Sequence, residues 1–346
     1  MNEEIGNIRT EIDQIDRQIA ELLIKRKRLS SDIIKSKIKN SLDLTDQKRE
    51  KLIITSMKQH TTGLLNPLFI EELYKLIFAD SKSMAAGEGT IKEKPVIIAG
   101  PCAVEGRESV LSLAGKLSSY GISIFRGGAY KPRTNPMDFQ GLGREGIEYL
   151  RDACDQNGML LATEVLTTGQ LKEHYGKIDI IQVGSRNMAS YGLLKAIGEI
   201  SAEDGKPVLL KRGFSATINE FLHAAEYIRK EGNPNVWLCL RGIRTFEQID
   251  SDLRNTPDLS AIIELKKKTN MPVFFDPSHA SGNSNFVIDY AKAALLLGAD
   301  GLLIECHENP SDALMDGFQA VTPNKIKELT ESLDEIAYAK SILQDH

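Results

Sequence analysis

The chain has 346 residues, 41% of them hydrophobic and 26% charged, which suits one large domain with an appendage or two ordinary domains and excludes a disordered chain. With 43 Lys and Arg against 48 Asp and Glu the net charge is −5, so no overall field attracts nucleic acid or anionic lipid, and an anionic ligand has to be caught locally. No apolar run approaches the roughly 20 residues that span a bilayer. Four cysteines, behind a charged rather than apolar N-terminal stretch, predict a reducing, cytoplasmic setting.

The first element in chain order is helical. Ile5, Ile8, Ile12, Ile15, Ile19 and Leu22 recur at alternating spacings of 3 and 4, and Leu29 and Ile33 rejoin the stripe. Residues 3 to 39 are therefore predicted to form one long amphipathic helix. A second helix is predicted to start at Thr45 or Asp46, both good caps, and to run to Gln59. A third starts where Asn66 caps and Pro67 takes the first helical position, and continues to Ser83. Residues 1–84 read as a three-helix all-α domain with nearly balanced charge, 14 Lys and Arg against 13 Asp and Glu over residues 1–80. Residues 85–94, with Gly87 and Gly89 and no packing pattern, read as a tether.

From Lys94 onward the period changes. Short apolar runs fall at Val96 to Ala99, Ile122 to Phe125, Leu160 to Ala162, Ile180 to Val183, Val208 to Leu210, Val236 to Leu240, Val273 to Phe275 and Leu302 to Ile304. Stretches with helical signatures separate them, among them Ser109 to Ser119, Gly146 to Asn157, Ile218 to Lys230 and Phe286 to Leu297. An open doubly wound sheet uses the same alternation. Eight strands, with no Gly-x-Gly-x-x-Gly after the first, favour a closed (β/α)₈ barrel over residues 95–346 and give no sign of a nucleotide cofactor.

Barrel active sites form at the carboxyl ends of the strands, and there the eight runs lead to Cys102, Arg126, Glu164, Arg186, Lys211, Arg241, Asp276 with His279, and Glu305 with His307. Hydrophobic periodicity alone does not put an ionisable group at every strand end; a site for anions and a metal does. Closure sets the eighth strand beside the first, so Cys102, His279, Glu305 and Asp316 in the following loop are expected on one arc. A thiolate, an imidazole and two carboxylates suit Mn²⁺, Fe²⁺, Co²⁺ or Zn²⁺ better than Mg²⁺. Taken singly, Cys102 reads better as a small buried hydrophobe and His279 as a loop-satisfied imidazole, and only the shared arc reverses that; His307 is a rival ligand. On the opposite arc are expected Arg126, Lys131, Arg133, Arg186, Lys211 and Arg241. So many cations repel one another unless a multiply charged anion sits among them.

These residues lie in motifs that together resemble one family. Gly-Pro-Cys-Ala at 100–103, Arg-Gly-Gly-Ala-Tyr-Lys-Pro-Arg-Thr at 126–134, Phe-Gln-Gly-Leu-Gly at 139–143, Leu-Leu-Lys-Arg-Gly at 209–213, Arg-Gly-Ile-Arg-Thr at 241–245 and Asp-Pro-Ser-His at 276–279 are similar to those of 3-deoxy-D-arabino-heptulosonate-7-phosphate (DAHP) synthases, in the short bacterial branch often fused to a chorismate mutase. The resemblance runs the length of the barrel. It implies metal-dependent condensation of phosphoenolpyruvate with erythrose 4-phosphate, the entry to the shikimate pathway of aromatic amino acid biosynthesis, in a homodimer or homotetramer. It implies a metal held by Cys102, His279, Glu305 and Asp316, and phosphoenolpyruvate held by Arg126, Lys131, Arg186, Lys211 and Arg241. Arg133 and Thr134 match the erythrose phosphate site, Glu164 an acidic position beside the substrates. Lys131, or a metal-bound water near Glu305, is implied as the proton carrier. The sister 3-deoxy-D-manno-octulosonate-8-phosphate synthases typically have Lys-Ala-Asn-Arg where this chain has Lys-Pro-Arg-Thr at 131–134. Arg133 behind the rigid Pro132 suits the shorter aldehyde.

The same 3 and 4 spacing puts Arg26 and Lys37 on the apolar seam of the first helix. Arg9, Arg26, Lys37, Asp46, Arg49, Glu50 and Ser81 fall in the register of all-helical chorismate mutases, whose intertwined dimers bind a dicarboxylate. The resemblance implies a chorismate or prephenate site, with Arg9 from a partner and Arg26 on the carboxylates, Lys37 on the ether oxygen and Glu50 on the hydroxyl. The family's Gln four residues after Ser81 is Ala85 here, which implies a slow mutase or a feedback sensor. Two other readings of this domain are a purely structural dimerisation arm and a nucleic-acid module built on Lys25 to Arg28. The balanced charge and the absence of interleaved aromatics disfavour the second.

Overall fold

The computed structural model describes residues 2–39, 47–71, 73–74, 77–78, 94–133, 135, 137–246 and 254–344. The chain divides into two compact units, Met1–Ala85 and Ala86–His346.

In the first unit Asn2–Lys39 is a single helix and Gln47–His60 a second. Helical backbone resumes at 67, directly after Asn66, whose Oδ1 accepts the Leu68 N–H at 2.8 Å, the capping geometry the Asn-Pro pair predicts. Ile12, Ile15, Ile19, Leu22, Leu29 and Ile33 are all exposed. The predicted tether lies outside the described residues, apart from Lys94.

The second unit is a closed barrel of eight parallel strands in sequence order. They are β1 (Val96–Gly100), β2 (Ile124–Arg126), β3 (Leu160–Glu164), β4 (Ile180–Val183), β5 (Val208–Lys211), β6 (Val236–Leu240), β7 (Val273–Phe275) and β8 (Gly301–Glu305). Period-two alternation splits the core. Ile98, Ile124, Ile180, Leu209, Trp237, Phe274 and Leu303 point into the barrel, with the Trp237 and Phe274 rings stacked 5.0 Å apart. Ile97, Ala99, Phe125, Leu161 and Leu210 point outward against the helices. The ladder reaches one or two residues beyond the apolar runs: Arg126, Glu164, Lys211 and Glu305 are terminal strand residues, pairing with or beside Ala162, Gln182, Cys239 and Gly100. Parallel pairing uses only backbone groups, so it continues through a polar side chain that points into the open mouth.

All four cysteines are free and buried, and among the described residues no helix is long and apolar enough to cross a membrane. Phe274 is fully buried and stacked, so Phe274→Ala should destabilise the barrel by about 3–5 kcal/mol. Urea denaturation followed by Trp237 fluorescence measures it, and a loss below about 1 kcal/mol would show that the inner core is not close-packed.

Candidate active site

Parallel pairing of β1 with β8 sets Gly100 beside Glu305, and Cys102 follows two residues on. Cys102 Sγ lies 3.5 Å from Asp316 Oδ2, and Cys102, Glu305 and Asp316 each offer a ligand atom within 4.8 Å of the others. His279 stands at the edge of this triangle, with Nε2 3.4 Å from Glu305 Oε1. The short helix Pro277–Ser281 holds its ring. Asp276 caps that helix, Oδ1 accepting the His279 N–H at 2.9 Å and Oδ2 lying 2.8 Å from His279 Nδ1. A carboxylate can only accept, so Nδ1 carries the ring proton and the Nε2 lone pair stays available to an ion. Asp316 is one of two described non-glycine residues with left-handed backbone, at φ 53°, a strain of about 1–3 kcal/mol that concentrates at functional positions.

Glu305 is fully buried. Its Oε1 accepts from Arg126 Nη1 at 2.8 Å and its Oε2 from Gln319 Nε2 at 2.6 Å, while its backbone N–H donates to Ser278 Oγ at 2.9 Å. Burial alone would raise its pKa, but His279, Arg126 and Lys131 hold it far below the usual carboxylate range. Cys102 responds oppositely: burial first, then the Glu305 charge, pushes its thiol up to about 12. Lys131 Nζ donates to Cys102 O at 3.0 Å and to Cys102 Sγ at 3.2 Å. Its burial disfavours the ammonium, but Cys102, Glu164 and Glu305 outweigh that and raise its pKa. Gly128 makes this approach possible, since a Cβ there would meet Cys102 O and Lys131 Cδ, each at 2.7 Å.

The two arcs expected from the sequence interlock. Arg126 is bound to Glu305 because β2 adjoins β1, and Lys211 Nζ pairs with Asp276 and lies 3.4 Å from His279 Nδ1. Across the mouth, the guanidiniums of Arg241, Arg244 and Arg186 sit 4.8, 5.0 and 5.5 Å from the Phe214 ring centroid, which lets three cations share one wall. Arg241 is buried, and its Nη1 has no hydrogen-bond partner among the described residues. Burial depresses its pKa to about 10, which leaves it charged at neutral pH. Arg186, on the turn Ser185–Asn187, is exposed. Arg133 Nη2 pairs with Asp138 at 2.8 Å, and Thr134 lies outside the described residues. Glu164 fits under Gly184, where a Cβ would lie 1.9 Å from its Oε1. Arg126, Lys131, Arg133, Glu164, Arg186, Lys211, Arg241, His279 and Asp316 all line one cavity of ≈ 210 Å³.

His307 is not a rival ligand. Its Nε2 faces Glu105 Oε2 at 3.4 Å in a separate cavity, and its Nδ1 approaches the backbone of Asn309; the chain turns after β8, so strand alternation no longer carries it to the Glu305 side. Three contributors to the site lie outside the motifs: Phe214, Arg254 and Gln319. Phe214 directly follows Leu-Leu-Lys-Arg-Gly, which is a signal; Gln319 and Arg254 sit in loops without periodicity and have none.

In the helical unit Arg9 is exposed on the long helix, Arg26 stacks over Phe78 at 5.4 Å, and Arg49 and Glu50 share one turn of Gln47–His60. Asp46, Ser81 and Ala85, like the side chain of Lys37, lie outside the described residues.

Fold and site together define a (β/α)₈ barrel whose mouth joins a set of candidate ion donors to a wall of cations. Residues 76–340 match the DAHP synthetase I family and residues 8–85 match chorismate mutase type II. The chain belongs to the DAHP synthetase I family and carries an N-terminal chorismate mutase type II domain. The phospho-2-dehydro-3-deoxyheptonate aldolase of Thermotoga maritima is 47% identical over 246 residues, 71% of each chain. A crystal structure of that enzyme from the same organism matches with a TM-score of 0.66 at 47% identity, covering 70% of this chain and 69% of that one. A truncated form of the Thermotoga maritima 3-deoxy-D-arabino-heptulosonate 7-phosphate synthase matches at 44% identity and a TM-score of 0.63, over 70% of this chain and 87% of that one. More distant is the 2-dehydro-3-deoxyphosphooctonate aldolase of Bordetella petrii, 29% identical over 265 residues, 69% of this chain and 89% of its own.

The donor chemistry fits a borderline divalent ion: a thiol, two carboxylates and an imidazole oriented by a carboxylate behind it. Because the Cys102 thiol stays protonated up to about 12, ion uptake releases its proton throughout the neutral range. Affinity for Mn²⁺ should therefore rise about tenfold per pH unit between about pH 6 and 9, and Cys102→Ala should abolish both the slope and tight binding. Chelator competition reads both; a pH-independent affinity would remove the thiolate from the ligand set.

Proposed function

We propose that the barrel condenses phosphoenolpyruvate with D-erythrose 4-phosphate to DAHP and inorganic phosphate, with a divalent ion on Cys102, His279, Glu305 and Asp316. The observation that carries the substrate class is the unpartnered Arg241 Nη1 in a pocket walled by Arg126, Lys131, Arg186 and Lys211. A buried charged donor without a partner is costly, and a phosphate or carboxylate oxygen satisfies it. Family membership and the Arg133 that follows Pro132 support the four-carbon aldehyde.

Arg186, Lys211 and Arg241 hold the phosphate and carboxylate of phosphoenolpyruvate and present its methylene to the aldehyde carbon. When bound, a divalent ion at this site supplies a Lewis acid for the aldehyde oxygen. Lys131, an ammonium at neutral pH by its raised pKa, donates the proton that the new hydroxyl requires. Water then adds at C2 and returns a proton to Lys131. The C2–O bond of the hemiketal phosphate breaks, the hydroxyl proton leaving with inorganic phosphate as C2 becomes the ketone, with the developing charge met by the same guanidiniums. Arg133 and Thr134 hold the erythrose phosphate, and Glu164 keeps Lys131 charged and aimed.

For the helical domain we infer a chorismate or prephenate site built on Arg9, Arg26, Lys37, Asp46, Arg49, Glu50 and Ser81, acting as a slow mutase or a feedback sensor. The match to chorismate mutase type II supports it. The exposed apolar stripe of the long helix supports a homo-oligomer in which that face is covered.

Phosphate release from purified chain should be fast with erythrose 4-phosphate and at least about 100-fold slower with arabinose 5-phosphate, a preference of about 2.7 kcal/mol. EDTA should abolish it and Mn²⁺ restore it. Lys131→Met should lower kcat by about 10²–10⁴-fold. Prephenate should inhibit the full chain, and equal turnover of the two sugars would overturn the substrate assignment.

A further inference from the structure

Arg254 lies in none of the motifs that mark the site, yet it touches both halves of it. Its backbone N–H donates to Ser281 O at 2.8 Å. Gly282, at φ +68°, makes the room, since a Cβ there would lie 2.4 Å from Arg254 Cβ. From that anchor the side chain borders the cation-walled pocket. Its Nη1 donates to Gln319 Oε1 at 3.0 Å and stands 3.5 Å from Asp316 Oδ1.

Gln319 is fully buried, and its Nε2 donates to Glu305 Oε2 at 2.6 Å. Its neighbours decide how the amide is turned. A guanidinium only donates and a carboxylate only accepts, so Oε1 faces Arg254 and Nε2 faces Glu305. One cation therefore contacts one ion-site carboxylate directly and the other through an amide, while the same side chain forms part of the pocket wall.

We propose that Arg254 and Gln319 form a relay that couples anion binding in the pocket to the affinity of the ion site for a divalent cation. The relay rests on reading Cys102, His279, Glu305 and Asp316 as ion donors. Its sign follows from charge. With no anion in the pocket, the Arg254 guanidinium neutralises Asp316 and opposes an incoming divalent ion. A phosphate or carboxylate that draws on this guanidinium loosens its hold on Asp316 and leaves that oxygen to the ion. Gln319 keeps Glu305 Oε2 occupied throughout, so that Glu305 presents the remaining lone pair of Oε1, the oxygen that accepts from Arg126 and faces His279 Nε2. Linkage is reciprocal: the ion must tighten anion binding by the same factor.

An anion near a cation also attracts it through space, so the test has to isolate Arg254. Mn²⁺ affinity of the full chain is measured by chelator competition with and without inorganic phosphate at constant ionic strength. Phosphate should tighten Mn²⁺ binding to the wild type by about fivefold or more. Arg254→Gln should bind Mn²⁺ at least as tightly as the wild type without phosphate and lose most of the phosphate effect. Gln319→Leu, checked for fold by circular dichroism, should weaken Mn²⁺ about 10–100-fold. A phosphate effect that is absent in the wild type, or undiminished in Arg254→Gln, overturns the relay. A wild type that binds no Mn²⁺ overturns the ion site itself, and the relay with it.

Discussion

Five residues of β1 lie in parallel register with five of β8, from Val96 beside Gly301 to Gly100 beside Glu305. Every other feature of the mouth depends on that seam. It brings the Cys102 thiol to the Asp316 carboxylate across 214 positions of chain, a separation no local turn can bridge. Two glycines let the backbones close up. At Gly100 a Cβ would lie 2.0 Å from Arg126 O, and at Gly301 one would lie 2.3 Å from the Phe274 ring. A side chain at Gly301, which would also lie 2.6 Å from Val96 O, would open the seam, and one at Gly100 would push β2 and Arg126 away from it.

Closure concentrates charge on largely buried side chains, and the pairing pattern shows how that is tolerated. Glu305 is held by Arg126, Asp276 by Lys211 and His279, and Lys131 by Cys102 and its carboxylate neighbours. A buried ion with a well-placed partner avoids most of the desolvation penalty of an isolated one. Two guanidiniums of the mouth keep a nitrogen that no protein group satisfies among the described residues, Arg126 at Nε and Arg241 at Nη1. Within a chain of net charge −5, that local excess of cations gives the mouth a positive potential, since placement rather than total charge sets the local field.

The helical domain obeys a different constraint. Its long helix carries an apolar stripe that the described residues of a single chain leave exposed at Ile12, Ile15, Ile19 and Leu22, so its burial requires a surface outside this chain's own helical core. Arg26 stacked over Phe78 shows a seam cation supported by an aromatic face, which lets a guanidinium sit beside apolar side chains.

The eight apolar runs with ionisable groups at their ends, the 3 and 4 spacing of the first helix, and the cap at Asn66 were readable in one dimension. Each is a local pattern, set by backbone periodicity and by side chains within a few residues. Cys102, His279, Glu305 and Asp316 could be nominated because closure of a barrel is a rule of topology. The pairing of Arg126 with Glu305, the Asp276 carboxylate behind His279, the turning of His307 towards Glu105, and the places of Arg254 and Gln319 could not. Those depend on distances of a few ångströms between segments far apart in the chain, and only packed coordinates decide which nitrogen meets which oxygen.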